Sequence, residues 1–342
     1  MRPKSALYYT KSLDSIADEL ADRIAAEKGD SQTGIQDLHP LVQAFALEAV
    51  GCIFMGTRLG AIQGQGDGKR LMELSEEIGV LMQKLVFLPK ILQTFHPAWK
   101  HLVRVSAESF DLCKKHVDAA MINVTDTDDS MIAKLVRACG RESGVALTMS
   151  IDSILAGIDT TGSSGTSLLY HLADNPEKQE KLHKEICSVI GPRGEVTGAA
   201  LGKMRYLKAC QTESQRMANS SIATSRRLQV FKTASRHNCR RYLQEDTILR
   251  GYHIPAGTDL LRVGHSTSND PANFASPEVF LPERWLRGCP DRHTAHPFAH
   301  IPFGHGARYT TLNSYIRCLK EEVVFEDRET VFRTRSIREM LD

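Results

Sequence analysis

The chain lacks long apolar runs and an excess of either charge. No uninterrupted apolar segment of about eighteen residues occurs, so the sequence predicts no membrane-spanning helix. Its 43 basic and 41 acidic residues nearly balance, which argues against nucleic acid as a partner. The first residues lack the apolar stretch of a secretory signal, and acidic residues at positions 14, 18 and 19 argue against a transit peptide. We therefore expect a globular chain without a targeting sequence.

Cysteine pairs and phosphate-binding loops are also missing. The eight cysteines are scattered with no C-x-x-C pair, which favours free thiols in an intracellular compartment, although the even count leaves disulfides open. Residues 64–70 are rich in glycine but lack the Lys-Ser/Thr ending of a phosphate-binding loop. This segment is predicted to be a flexible linker.

Helical periodicity dominates what is present. A small β-hairpin is predicted over residues 248–258, where two extended runs flank tight turns. The predicted fold class is therefore mainly α with minor β. Apolar residues recur at helical spacing over 5–28, 37–59, 69–86, 97–123, 130–172 (with a break near 143–144), 176–190 and 206–217.

The centre of the long helical segment has an unusual composition. Residues 156–165 (A-G-I-D-T-T-G-S-S-G) are small or poor helix formers among apolar neighbours. One interpretation is a kinked helix packed through small residues, because serine and threonine bend helices and glycine allows close approach. The other rests on Asp159 beside Thr160. A buried, unpaired carboxylate is costly, and such a pair can relay protons into a dry site.

Two further patterns each leave alternatives open. In residues 303–308 (F-G-H-G-A-R), glycines two apart allow backbone to approach a flat ligand, and Arg308 is placed to meet its carboxylate or phosphate. The alternative is a surface turn. Glu213 and Arg216 are spaced to pair on one helix, either as an exposed ion pair of little energetic value or as a buried structural pair.

Taken together and in this order, these motifs resemble the cytochrome P450 family of haem-thiolate monooxygenases. The resemblance covers most of residues 1–308 and implies a partial cytochrome P450 fold there, followed by an unrelated charged tail over 309–342. The mitochondrial branch of the family is the most similar. The motifs that carry the resemblance are residues 156–161, the E-x-x-R segment 213–216, the P-E-R-W segment 282–285 and residues 303–308, and those that resemble the mitochondrial branch are 56–60, 206–210 and 224–228.

The resemblance implies a reaction, a cofactor and partners. Family members bind haem and insert one oxygen atom from O2 into a lipophilic substrate such as a sterol or a xenobiotic. Members of the mitochondrial branch receive electrons from a ferredoxin-type donor. They lie on the matrix side of the inner mitochondrial membrane, and full-length members contact the membrane surface.

The resemblance also implies residue roles. Asp159 and Thr160 would supply protons, and Lys208 would contact the ferredoxin. Counting forward from the E-x-x-R helix places the arginine that binds a haem propionate at Arg227, whereas counting back from residues 251–252 places it at Arg241. The buried structural triad would be Glu213, Arg216 and Arg284. The remaining cofactor contacts would be Gly157, Phe303, Gly304, Gly306 and Arg308.

The chain departs from the family pattern at several positions. The pattern F-G-x-G-x-R-x-C requires the axial cysteine at position 310, where this chain has Thr310. A neutral hydroxyl does not supply the electron push of a thiolate. The chain is expected to begin inside the family fold, and Thr212 replaces a second lysine expected at the ferredoxin contact. These departures predict impaired haem-thiolate chemistry.

Two other functions follow from the same residues. A non-catalytic fragment or splice variant would explain departures at the start, the middle and the end of the chain. A zinc or iron site is the other alternative, because four imidazoles lie within thirteen residues. Its ligands would be His293, His296, His300 and His305.

Overall fold

The protein was analysed as a computed structural model, in which a defined set of residues is described. These described residues are 3–28, 37–86, 88, 90–125, 128, 130–191, 194–217, 238–249, 251–292, 295–296, 298–300 and 302. The helices among them are α1 Pro3–Lys28, α2 His39–Met55, α3 Gly66–Val86, α4 Lys90–Phe95, α5 Pro97–Ile122, α6 Met131–Cys139, α7 Val145–Ala173, α8 Pro176–Ile190, α9 Gly198–Lys203, α10 Arg205–Met217 and α11 Gly264–Ser268.

Strands form a small part of the described chain. The strands are β1 Asn238–Tyr242, β2 Thr247–Leu249, β3 Tyr252–Ile254 and β4 Asp259–Val263. Strands β2 and β3 form an antiparallel hairpin, and β1 pairs antiparallel with β4 so that Cys239 lies opposite Arg262. The predicted hairpin is present, and the mainly α class with minor β is confirmed. The outer β1–β4 pair was not predicted.

The break in the long helical segment lies where the sequence places it. Helix α6 ends at Cys139, a short 3-10 helix covers Arg141–Ser143, and α7 begins after Gly144, whose φ is 67°. This left-handed conformation is readily adopted by glycine, which has no Cβ. Helix α7 then runs through residues 156–165 to Ala173.

The predicted linker over residues 64–70 is wrong, because α3 begins at Gly66. Asp67 lies in its first turn, where a negative charge favours helix formation. A Cβ at Gly68 would lie 2.7 Å from the carbonyl oxygen of Leu59. The glycines therefore allow the start of α3 to pack closely on the preceding loop.

The main core surrounds α2, which is apolar on nearly every face and is buried accordingly. It packs against α1 through Ile16 and against α7 through Ile154 and Ile158. Two smaller apolar clusters lie between α3 and α5, and between α8, α10 and the end of α7. No helix of the described chain is long and apolar enough to cross a membrane.

Candidate functional site

Glu213 on α10 is the centre of a buried polar junction. Its side chain is fully buried and accepts five hydrogen bonds. Arg216 donates from Nε and Nη2 at 2.9 and 2.8 Å, and Arg284 donates from Nε at 2.9 Å. Trp285 Nε1 and the backbone N–H of Leu281 complete the set at 2.8 and 3.1 Å. The structure thus brings together the three residues of the predicted triad. We call this arrangement the Glu213 junction.

Both arginines of the Glu213 junction also bind backbone carbonyl groups. Arg216 Nη1 donates to the carbonyl oxygen of Ser268 at 2.9 Å. Arg284 donates to the carbonyl oxygens of Ala275 and Ser276 at 2.8 and 3.1 Å. Both arginine side chains are almost completely buried, so each hydrogen bond offsets part of a large desolvation cost. The result is a charged cluster that connects α10 to the loops over residues 268–285.

The neighbouring Glu283 is held by cations from another helix. Lys181 Nζ lies 2.7 Å from its Oε1, Lys178 Nζ lies 3.2 Å from its Oε2, and the Tyr206 hydroxyl donates to Oε1 at 3.0 Å. Burial alone would raise the pKa of Glu283, but these donors outweigh it and hold the pKa at about 2. The P-E-R-W segment therefore binds both α8 and α10 through Glu283, and α10 again through the next two residues.

A carboxylate on α8 supplies the N-terminal cap of α10. Glu185 accepts from the backbone N–H groups of Tyr206 and Leu207 at 2.7 and 2.9 Å. These amides lie in the first turn of α10, where the backbone lacks partners within its own helix. This cap was missed in the sequence because it comes from a different helix.

Asp159 on α7 contacts two neighbouring helices. Its Oδ1 accepts from Gln43 Nε2 of α2 at 2.6 Å, and its Oδ2 accepts from Ser75 Oγ of α3 at 3.0 Å. Asp159 is half-buried, whereas Gln43 and Ser75 are buried. Neither donor was predicted from the sequence, because each lies far along the chain from Asp159.

Thr160 bonds to its own helix. Its hydroxyl donates to the carbonyl oxygen of Ala156 at 2.8 Å, and Ala156 is exposed. Asp159 and Thr160 are therefore neighbours on α7 with different contacts. The Asp159 carboxylate accepts hydrogen bonds from α2 and α3, and the Thr160 hydroxyl donates to the carbonyl group of the exposed Ala156. Their roles in proton supply stay predictions.

The glycines of α7 face α2. A Cβ at Gly157 would lie 2.6 Å from Val50 Cγ2, and one at Gly162 would lie 3.0 Å from the Cα of Gln43. The close approach that these glycines allow is thus made by a helix, which supports the interpretation of packing through small residues. A haem contact by Gly157 stays a prediction.

The remaining predicted contacts are only partly described. Lys208 is exposed on α10, and the backbone of Arg241 lies in β1 opposite Leu260. The other predicted cofactor residues, together with position 310 and the whole tail over 309–342, lie outside the described residues. They are Arg227, Phe303, Gly304, Gly306 and Arg308.

Two of the four candidate metal-binding histidines are described, and their contacts are different. His296 Nδ1 accepts from the backbone N–H of Phe298 at 3.2 Å. His300 packs against the Trp285 ring with 5.4 Å between centroids and lies within hydrogen-bond distance of Ser268. Within the described chain, no group of three or more His, Cys, Asp or Glu side chains could hold a metal ion. His293 and His305 lie outside that part.

A second buried carboxylate was missed in the sequence. Glu48 of α2 is fully buried and accepts from Arg58 Nε at 2.7 Å and from the backbone N–H groups of Leu59 and Ala61. Arg58 also forms a two-pronged ion pair with Glu19 of α1, and the arginine holds the pKa of Glu19 below its usual value. Residues 56–60, which resemble the mitochondrial branch, therefore connect α1 and α2.

Comparisons with known proteins agree with this architecture. The cytochrome P450 family model matches residues 1–309. The chain is similar to probable cytochrome P450 49a1 of Drosophila melanogaster, with 30% identity over 98% of this chain and 60% of that protein. It is 29% identical to probable cytochrome P450 12b2, mitochondrial, of the same fly over 86% of this chain and 55% of the relative.

A vertebrate enzyme matches to a similar extent. Human sterol 26-hydroxylase, mitochondrial, is 29% identical over 90% of this chain and 58% of that protein. The chain thus spans between 55% and 60% of the length of these three relatives.

Proposed function

The chain belongs to the cytochrome P450 family, and we propose that its function derives from a haem-dependent monooxygenase that inserts one oxygen atom from O2 into a lipophilic substrate. The match of the family model to residues 1–309 carries this proposal. Family membership supports an oxidoreductase class and a haem cofactor. The substrate class, a sterol or a xenobiotic, is the proposal's finer part and is supported by relatives such as a sterol 26-hydroxylase.

The residues present fit haem on one side only. On α7, the exposed Ala156 and the neighbouring Thr160 would lie against the haem. Phe303, Gly304, Gly306 and Arg308 would hold the macrocycle and one propionate, and Arg227 or Arg241 would bind the other propionate. At position 310, however, the donor is a threonine hydroxyl rather than a thiolate. Haem with a thiolate ligand activates O2 in this family, and Thr310 does not fit that ligation.

The chain's own residues on α7 are suited to handling a proton. Asp159 presents two carboxylate oxygens to hydrogen-bond donors from α2 and α3. The Thr160 hydroxyl is oriented by the carbonyl oxygen of Ala156, which leaves its oxygen able to accept a further hydrogen bond. We assign Asp159 to holding a proton and Thr160 to positioning it.

The domain organisation and partners belong to the same proposal. Residues 1–308 would be a partial cytochrome P450 domain, and the charged residues 309–342 would be a tail unrelated to the family. Lys208 is exposed on α10 and would contact a ferredoxin-type donor, with Thr212 weakening that contact. Relatives named mitochondrial support a mitochondrial location. The finer parts of the proposal are the matrix side of the inner membrane and contact with the membrane surface, as the resemblance implies for full-length family members.

The experiment tests whether the chain, with Thr310 in place of the axial cysteine, binds haem through a thiolate. The full chain would be purified, incubated with haemin, reduced and exposed to CO, alongside a Thr310→Cys variant. We expect no thiolate-type Soret band from the unsubstituted protein. A clear thiolate band from that protein would contradict the assignment of Thr310 as a defect, whereas a band only in the variant would locate the defect at that one position.

A non-catalytic protein is the second candidate. The observation that favours it is Thr310, which stands where the family pattern has the axial cysteine. A protein of this kind would fold without haem and would not respond to it. Haemin at increasing concentration would then leave the unfolding midpoint unchanged, whereas a ligand that binds only the folded state raises it progressively.

A further inference from the structure

A small cavity lies where the end of α7, the end of α10 and the loop before the P-E-R-W segment meet. Its volume is about 170 Å³, and its lining residues come from positions within 170–175, from Met217 and from 278–280. A cavity of about 150 Å³ is large enough for benzene, whereas drug-sized ligands need about 300 Å³ or more. The cavity therefore has room for one small chemical group and is too small for a sterol.

The floor of this cavity is apolar and aromatic. His171, Met217 and Phe280 are all buried. The His171 ring stacks on the Phe280 ring, with 5.2 Å between centroids and 8° between the ring planes. The exposed Tyr170 packs edge-on against His171 at 5.6 Å. Burial lowers the pKa of His171 below its usual value, so its imidazole adds no positive charge to the floor at pH 7.

The rim of the cavity is acidic. Asp174 and Glu278 are exposed there, and neither carboxylate forms an ion pair or accepts a hydrogen bond within the described chain. The lysines that follow Asp174 on α8 do not neutralise it, because Lys178 and Lys181 both bind Glu283. The lining also includes no lysine or arginine. The rim therefore carries negative charge without a cation to balance it.

Asn175 adds a neutral acceptor to the same cavity. Its Nδ2 donates to the carbonyl oxygen of His171 at 2.8 Å, which fixes the orientation of the amide. Asn175 is the N-cap residue of α8, where an asparagine oxygen usually accepts from the backbone of its own helix. Its side chain makes no such hydrogen bond here. The Oδ1 atom of Asn175 is therefore available to a ligand.

We propose that this cavity binds a guanidinium group, carried either by a small molecule or by an arginine side chain of a peptide. A guanidinium is planar, so it can lie against the Tyr170 ring while its N–H groups donate to Asp174 and Glu278. An ammonium has the same charge but no planar face and fewer donors. The proposal does not rest on the monooxygenase function, because the cavity is formed by residues that the haem chemistry does not use.

Methyl NMR of the full chain without haem tests the proposal. The ten methionines would be labelled with 13C at the methyl group, and the spectrum of Met217→Leu would identify the Met217 signal. The probe is methylguanidinium, titrated at constant ionic strength. We expect it to shift the Met217 signal in a saturable manner. Methylurea has the same shape but no charge, so it should leave the signal in place.

Two substitutions at the rim test the role of charge. Asp174→Asn and Glu278→Gln should each raise the half-saturation concentration of methylguanidinium about twofold to fivefold, because each removes one exposed charge contact. Glu180→Gln is the matched control. It removes the same charge from an exposed residue of α8 that pairs with Lys184 and does not line the cavity, so half-saturation should be unchanged. Thermal unfolding of each variant would confirm that it is folded.

Three results would overturn the proposal. They are an unmoved Met217 signal, equal shifts with methylguanidinium and methylurea, and an unchanged half-saturation concentration in both rim variants. N-acetylarginine amide distinguishes the two sources of the ligand: tighter binding than methylguanidinium would assign the site to a peptide side chain, and weaker binding to a free small cation. Because no haem is present, none of these results bears on position 310.

Discussion

The charged side chains of the Glu213 junction bond mainly to one another and to nearby backbone, whereas Asp159 and Thr160 bond to neighbouring helices and to their own helix. Glu213, Arg216 and Arg284 are all almost completely buried. Asp159 and Thr160 are only half-buried. Removing one of the three side chains would leave a buried charge without its partner, which costs much free energy. At the centre of α7, Asp159 and Thr160 are less buried, so we expect substitutions there to cost less free energy of unfolding.

The largest expected effect is at the junction. Arg216→Met removes two hydrogen bonds to Glu213 and leaves that buried carboxylate with fewer compensating donors. We expect a loss of about 3–5 kcal/mol in the free energy of unfolding, measured by urea denaturation. Lys208→Met on the same helix is the control, since Lys208 is exposed and its removal should cost less than about 0.5 kcal/mol. Similar losses for both would remove the distinction between buried and exposed charges on α10.

The second effect depends on pH. Because the pKa of Glu283 is lowered from 4.5 to about 2 in the folded state, its ionised form is stabilising above the unfolded pKa. We expect Glu283→Gln to cost about 2–3 kcal/mol at pH 7, with the difference from the unsubstituted protein shrinking as the pH falls from about 4.5 towards 2.

Unfolding curves between pH 7 and pH 3 would measure this dependence. Glu180→Gln provides the control, because Glu180 pairs with Lys184 on the same helix but is 59% exposed. Its effect should be less than about 1 kcal/mol. A pH-independent loss in Glu283→Gln would show that packing, rather than charge, is what the side chain contributes.

A third effect concerns the close packing of α7 on α2. Gly162→Ala would place its Cβ 3.0 Å from the backbone of Gln43, and we expect a cost of about 1–3 kcal/mol from overpacking. At Gly202 in α9, no described heavy atom lies within 4 Å of an added Cβ. Gly202→Ala should therefore be neutral or stabilising by up to about 1 kcal/mol. Thermal unfolding of both variants would compare them, and a stabilised Gly162→Ala would contradict the packing role.

The smallest effect is expected at Thr160. Its hydroxyl bonds to a carbonyl group that is already part of the α7 backbone, and the side chain is half-buried. Thr160→Val keeps the shape and removes the hydroxyl, so the change in unfolding free energy should stay within about 0.5 kcal/mol. A loss well above 1 kcal/mol would indicate that Thr160 contributes to the fold as the junction residues do.

Local patterns predicted the helices and the motif positions, but not most of the partners. The E-x-x-R spacing allowed either an exposed or a buried pair, because a spacing of three says nothing about burial. The cap that Glu185 provides to α10, and the bonds of Gln43 and Ser75 to Asp159, join segments distant in sequence. The linker prediction over 64–70 failed because glycine permits close packing at the start of α3 as well as flexibility.

The most direct test compares Glu213→Gln with Asp159→Asn in the full chain without haem. Glutamine at 213 removes the charge between two buried arginines, so we expect a loss of at least about 3 kcal/mol. Asparagine at 159 can still accept from Gln43 and donate to Ser75, so its loss should be at most about 1 kcal/mol. Equal losses in equilibrium unfolding would contradict the account, because both sites would then stabilise the fold to the same degree.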